Sequence, residues 1–248
     1  MGERIDLTDI AAELGGSKTL NGYLATPAGE GPWPGVVMIH EATGLDDVQR
    51  RHADRLAGAG YLTLAADLFS DGGARRCLVS TMRAMRAGQG RAFADIEASR
   101  QWLLKSELCN GQTGVIGFCM GGGFALLTAK MGHHVASVNY GQLPPKTEML
   151  DEAMAGTCPL IASYGAKDRT LRGAAGKLEI ALNKAGVPHQ VTEYPQAGQA
   201  FLNDEPTGPK LIQPLIRVMG IGPEPEPAAT AWRRVEDYFA LYLKPNQA

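Results

Sequence analysis

Cys119 sits at the centre of GFCMG, residues 117–121, with a glycine two positions before it and another two positions after it. A thiol placed where a strand turns sharply into a helix can act as a nucleophile. Such a turn holds the nucleophile in a strained backbone conformation, and flanking glycines avoid clashes with the neighbouring strand and helix. The turn also aims the N-terminus of the following helix at the sulfur, which favours a thiolate and a developing oxyanion. A chance glycine pattern around one more buried cysteine would look the same in isolation. Here VIGF precedes Cys119 and FALL follows the glycine run, which puts the thiol at a strand-to-helix junction.

Elements able to hold that junction recur along the chain. Short apolar runs rich in β-branched residues read as strands at 35–41, 61–68, 113–119, 135–141, 159–168 and 189–195. Amphipathic stretches near 46–59, 91–106, 121–131, 173–186 and 228–243 read as helices; in the last, Trp232, Val235, Phe239 and Tyr242 recur at helical spacing as core packing. The alternation predicts an α/β domain with a mostly parallel central sheet flanked by helices on both faces. Two stretches break the rhythm. Residues 70–90, rich in Gly and Arg, read as a connection, and 203–227 as an insertion on one rim of the sheet, where loops carry substrate contacts. With no internal repeat and no dividing linker, residues 1–248 are expected to form a single domain.

Composition narrows the function classes. The 248 residues are 44% hydrophobic, enough for one large core, and their formal net charge is -2. With no basic block there is no electrostatic footprint for nucleic acid. The opening MGERIDLTDIAAELGG mixes acids with apolar residues, and nowhere do about 18 apolar residues run together. The expectation is a cytoplasmic chain with no membrane partner. Cys77, Cys109, Cys119 and Cys158 form no CxxC or Cys/His pattern, which points to reduced thiols, with no motif for a metal or an organic cofactor. A thiol-redox role would want a resolving cysteine near Cys119, and Cys109 lies at the opposite end of the same strand.

Several segments together resemble the dienelactone hydrolase family of the α/β-hydrolase superfamily, over nearly the whole chain. GVVMIHEATGL looks like that family's first-strand motif, YLTLAADLF like the next central strand, and VIGFCMGG like its cysteine elbow. SYGAKD is similar to the strand that ends in the triad acid, and EYPQAGQAFLND to the loop that carries the triad histidine. The resemblance implies the α/β-hydrolase fold, with Cys119 as nucleophile, Asp168 as triad acid and Glu41 as a carboxylate that reaches the resting thiol. It also implies an oxyanion hole built from the backbone N–H groups of Met120 and Ala42.

The chain departs from the family at the position of the catalytic histidine. Where the family reads AGHAF this chain reads AGQAF, so Gln199 stands in the place of the catalytic histidine. A histidine there would take the thiol proton and return it to the leaving group. A glutamine amide hydrogen-bonds in similar directions but carries no titratable nitrogen. Among the five histidines, His189 reads as a strand-end residue, His133 and His134 lie beyond the far end of the elbow helix, and His52 reads as a helix residue facing solvent or a neighbouring element. His40 is adjacent to Glu41, but successive strand residues point to opposite faces, so at most one of the two reaches the thiol. Glu41, its basicity raised by burial, is the better candidate to activate Cys119, with Gln199 only positioning groups.

The resemblance also implies arginines that hold a substrate carboxylate. Arg75 and Arg76 are the candidates, with a solvated arginine face as the competing reading, while AFLNDEPTG beyond Gln199 offers no arginine. Phe201 and Leu202 either line the pocket or belong to the core. The leading expectation is a hydrolase of small-molecule carboxylic esters or lactones, working as a monomer or homodimer through a cysteine nucleophile and impaired by Gln199. The competing expectation is a non-catalytic or substrate-trapping pocket protein on the same scaffold.

Overall fold

A computed structural model describes residues 2–206, 217 and 220–244. Of the expected rim insertion, residues 207–216, 218 and 219 lie outside the described residues. The chain order is β1 (Glu3–Asp6), α1 (Thr8–Glu13), β2 (Asn21–Ala25), β3 (Trp33–Ile39), α2 (Asp47–Gly58), β4 (Leu62–Ala66), α3 (Ala74–Ala87), α4 (Arg91–Lys105), β5 (Cys109–Phe118), α5 (Met120–Thr128), β6 (Val135–Asn139), α6 (Thr147–Met154), β7 (Leu160–Gly165), α7 (Ala174–Ala185), β8 (His189–Tyr194) and α8 (Pro225–Leu243). The strands form one 8-stranded sheet in the order β1-β2-β4-β3-β5-β6-β7-β8. Only β1 with β2 and β2 with β4 pair antiparallel; from β4 to β8 every pairing is parallel.

The central strands β4, β6 and β7 are buried throughout and mostly apolar because helices cover them on both sides. Gly35 and Thr113 are register partners, so a side chain at Gly35 would share a face with Thr113, and it would meet Leu103 of α4. One residue on, a side chain at Gly114 would point the other way and meet Phe239 and Leu243 of α8. Thus α4 and α8 lie on opposite faces. Alongside α8, α2 is held by Arg55 donating to Glu236 at 2.7 Å. Phe93 of α4 packs edge-on to Phe124 of α5 with ring centroids 5.2 Å apart.

Residues 70–90 are not a plain connection. They contain α3, whose buried stripe is Cys77, Thr81 and Met85 at four-residue spacing. The antiparallel pair β1–β2, the helix α1 and the short helix α6 were also not expected from the pattern.

Candidate active site

β5 rises buried through Phe118 and breaks at Cys119, whose backbone takes φ 53° and ψ -112° before α5 begins at Met120. A positive φ at a non-glycine residue is strained, and such strain persists only where the surroundings hold it. Here they do. A Cβ at Gly117 would fall into the carbonyl of Gly121, one at Gly121 into the carbonyl of Ile39, and one at Gly122 within 2.6 Å of the Asn139 oxygen. The Cys119 N–H donates to Asn139 O at 3.0 Å, tying the turn to β6.

The half-buried sulfur faces the backbone N–H groups of Met120 and Ala42 and the side chain of Gln199. All of these favour thiolate, yet two larger effects oppose them. Burial, and after it the negative charge of Glu41, push the Cys119 thiol up to about 11. At neutral pH the group is a thiol. The two amides converge where an oxyanion beside the sulfur would need donors.

Glu41 is buried, and its carboxylate is held from two sides. The Tyr140 hydroxyl donates to Oε1 at 3.2 Å, and Asn203 Nδ2 approaches both oxygens at 3.3 Å. Asn203 is braced in turn, because His52 Nε2 lies 3.0 Å from its Oδ1. An amide oxygen only accepts, so His52 carries its proton on Nε2. Burial lowers the pKa of His52 to about 4, so the ring is neutral. The ring stacks on Phe118 at 4.8 Å and lies 5.1 Å from Trp232, whose indole N–H donates to Leu202 O at 3.1 Å. His52 therefore does not face solvent. Tyr140 itself is a strained residue, with φ 40°, its N–H donating to Ser163 O at 2.7 Å.

Asp168 follows β7 and is buried. Its Oδ1 accepts from the Thr170 N–H at 2.8 Å and the Thr170 hydroxyl at 2.6 Å, and its Oδ2 has no partner. The loop bearing Gln199 packs against this segment: Lys167 N–H donates to Ala197 O at 2.9 Å, and a Cβ at Gly165 would come within 2.5 Å of the Ala197 oxygen. Gln199 is anchored on its other side by Gly222 N–H donating to its carbonyl at 2.9 Å. Its side chain favours the Cys119 thiolate, and its Oε1 is buried without a partner. The structure brings Cys119, Gln199, Glu41 and both backbone donors together, while no hydrogen bond joins Gln199 to Asp168.

The remaining expected residues stand apart. His40 is fully buried with both ring nitrogens engaged, Nδ1 on the Glu41 carbonyl at 2.6 Å and Nε2 accepting from Leu68 N–H at 3.1 Å. It has no nitrogen left for the thiol proton. Arg75 and Arg76 are exposed in the first turn of α3, on the side away from its buried stripe. Phe201 and Leu202, expected either to line the pocket or to fill the core, are core. Phe201 has no exposed surface, its ring packed against Tyr140 at 5.6 Å and Tyr194 at 5.1 Å. Tyr140, Asn203, His52 and Thr170 were not singled out as site residues from the sequence. Asn203 lies four positions after Gln199 in the same quoted loop and Tyr140 at a strand end, which is the only sequence signal they carry. Among the described residues no group of His, Cys, Asp and Glu is arranged to hold a metal ion, and no helix is long and apolar enough to cross a membrane.

The parallel sheet with covered faces and the strained turn at Cys119 after β5 define the α/β-hydrolase fold. A dienelactone hydrolase-like promiscuous phosphotriesterase from metagenomic libraries superposes with a TM-score of 0.78 at 23% identity, covering 98% of each chain. An esterase from Thermogutta terrifontis shares the fold at a TM-score of 0.68 and 17% identity, covering 100% of this chain and 95% of its own. The carboxymethylenebutenolidase of Rhodococcus opacus is 27% identical over 91% of this chain and 88% of its own length. The sequence model of the dienelactone hydrolase family matches residues 20–243, and the chain belongs to that family.

Proposed function

We propose that this chain hydrolyses carboxylic esters or lactones through Cys119, by way of an acyl-enzyme, and that Gln199 limits its turnover. The observation that carries the reading is the sulfur itself, held on a strained elbow with two backbone N–H groups directed at it. In acylation the Cys119 proton passes to the Glu41 carboxylate as the sulfur attacks the carbonyl carbon. The C–S bond forms, the ester C–O bond breaks, and the proton leaves on the departing oxygen. Tyr140 and Asn203 hold Glu41 in place for this exchange.

Deacylation needs a base for water. Gln199 supplies none, and positioned general acid–base groups are worth about 10² to 10⁴ in rate. Acylation therefore outpaces deacylation, and an activated ester gives a burst followed by a stall. Mass spectrometry after incubation with 4-nitrophenyl acetate tests this: a persistent acetyl adduct on Cys119 is expected. Continued turnover without the adduct, or turnover by Cys119→Ala, overturns the reading.

The second reading, a substrate-trapping pocket protein, is favoured by the same amide, which bonds the sulfur but cannot carry a proton. It requires the adduct, or the bound ester, to outlast any physiological cycle; measurable steady-state hydrolysis by the chain as given removes it.

A further inference from the structure

A groove of about 870 Å³ opens between α3, α5, α6 and α7, and neither Cys119 nor any residue bonded to its sulfur lines it. Its walls include Leu127, Leu143, Met149 and Ile180. The last two are 38% and 69% exposed, large apolar side chains left in water beside one another's groove. Around them stand Arg86, Lys130, Arg172 and Lys177, none of which forms an ion pair among the described residues. The acids on the same walls are Asp151 and Glu152, and Asp151 is already taken by Lys184. The groove thus combines apolar walls with more basic than acidic side chains, the four cations standing outside ion pairs among the described residues.

We propose that this groove is a binding site for an aliphatic carboxylate, with the hydrocarbon chain on Leu127, Leu143, Met149 and Ile180 and the carboxylate among Arg86, Lys130, Arg172 and Lys177. A neutral hydrocarbon would leave the cations without a partner, and a small polar anion would leave the apolar walls wet; an amphiphilic anion meets both. Arginine and lysine suit a carboxylate head through charge-assisted hydrogen bonds. The groove also touches the reacting centre indirectly. Thr170 lines it and holds Asp168, and Gln142 and Leu143 follow Gly141, where a side chain would collide with the backbone of Gly122 in the elbow helix. The site stands whether or not Cys119 turns over.

Isothermal titration calorimetry of the chain as given with hexanoate, octanoate and decanoate tests it. Saturable binding is expected, tightening by about fourfold for each added methylene, as burial of that group predicts. Cys119→Ala should bind equally well, and the double variant Lys130→Glu, Arg172→Glu, at exposed positions, at least tenfold more weakly with an unchanged circular dichroism spectrum. Any of four results overturns the proposal: no saturable heat with millimolar decanoate, binding lost in Cys119→Ala, decylamine binding as tightly as decanoate, or a dimer in sedimentation that Ile180→Lys dissociates. The last would make the groove an interface between copies of the chain.

Discussion

The carboxylates of Glu41 and Asp168 are held in opposite ways. Glu41 rests in a closed set of hydrogen bonds from Tyr140 and Asn203, with His52 securing Asn203 from behind. Asp168 is secured on one oxygen by Thr170 while the other, and the facing loop's Gln199 Oε1, are buried without partners. A buried polar atom left unsatisfied costs about 1–3 kcal/mol. Around Glu41 the donors converge on one carboxylate, whereas around Asp168 and Gln199 two buried oxygens face no partner. On the proposed reading, Gln199 interrupts the second half of the site alone, with the strained elbow still in place.

The sharpest way to test this contrast is to repair the incomplete half. Gln199→His should raise steady-state hydrolysis of 4-nitrophenyl acetate by about 10² to 10⁴, since an imidazole can use both the free Asp168 oxygen and the thiol proton. No gain would place the proton carrier elsewhere. The complete half breaks under acid. His52 and His133 are buried with pKa values lowered to about 4 and about 3. The unfolded chain binds protons near the ordinary 6.5 and the folded one does not, so stability present above pH 6.5 is lost as pH falls toward 4. His52 alone accounts for about 3 kcal/mol of that loss. Urea midpoints at pH 7 and 4.5 measure it, and Asn203→Leu, which orphans His52 and part of Glu41, should lower stability at pH 7 by about 2–3 kcal/mol.

Smaller effects sharpen the comparison. Glu41→Gln removes the charge that raises the thiol, so alkylation of Cys119 by iodoacetamide at pH 8 should quicken by roughly tenfold for each pKa unit released. An unchanged pH profile between 7 and 11 would mean that burial alone sets the thiol. Thr170→Val strips Asp168 Oδ1 of its side-chain donor and should cost about 1 kcal/mol, read by thermal denaturation.

The parts of this structure that sequence makes visible are those whose cause is local. The elbow glycines are required by backbone approaches within a few residues of Cys119, and the central strands are apolar because both faces are covered. α3 was hidden because its buried stripe uses Cys77, Thr81 and Met85, one of them polar, inside a stretch dominated by arginine. β1 was hidden because its residues remain largely exposed at the sheet edge. His52 reads as an ordinary helix residue until the loop 151 positions later brings Asn203 against it. Whether Arg75 meets solvent or substrate depends on which face of α3 it occupies, and that face is fixed by packing against the rest of the domain.

Trp232 turns this architecture into an optical instrument. Its indole lies against His52 and is hydrogen-bonded to the loop that carries Gln199, so it is linked to Asn203 and Glu41 by direct contacts. The other tryptophans sit away from that network, Trp33 at the start of β3, where it pairs with Cys109, and Trp102 near the end of α4, toward the opposite end of the strands from Cys119. Any event at the sulfur that displaces Glu41 is therefore passed to one fluorophore. The proposed burst and stall should then be visible as intrinsic emission in a stopped-flow instrument, without a label and with substrates that release no colour.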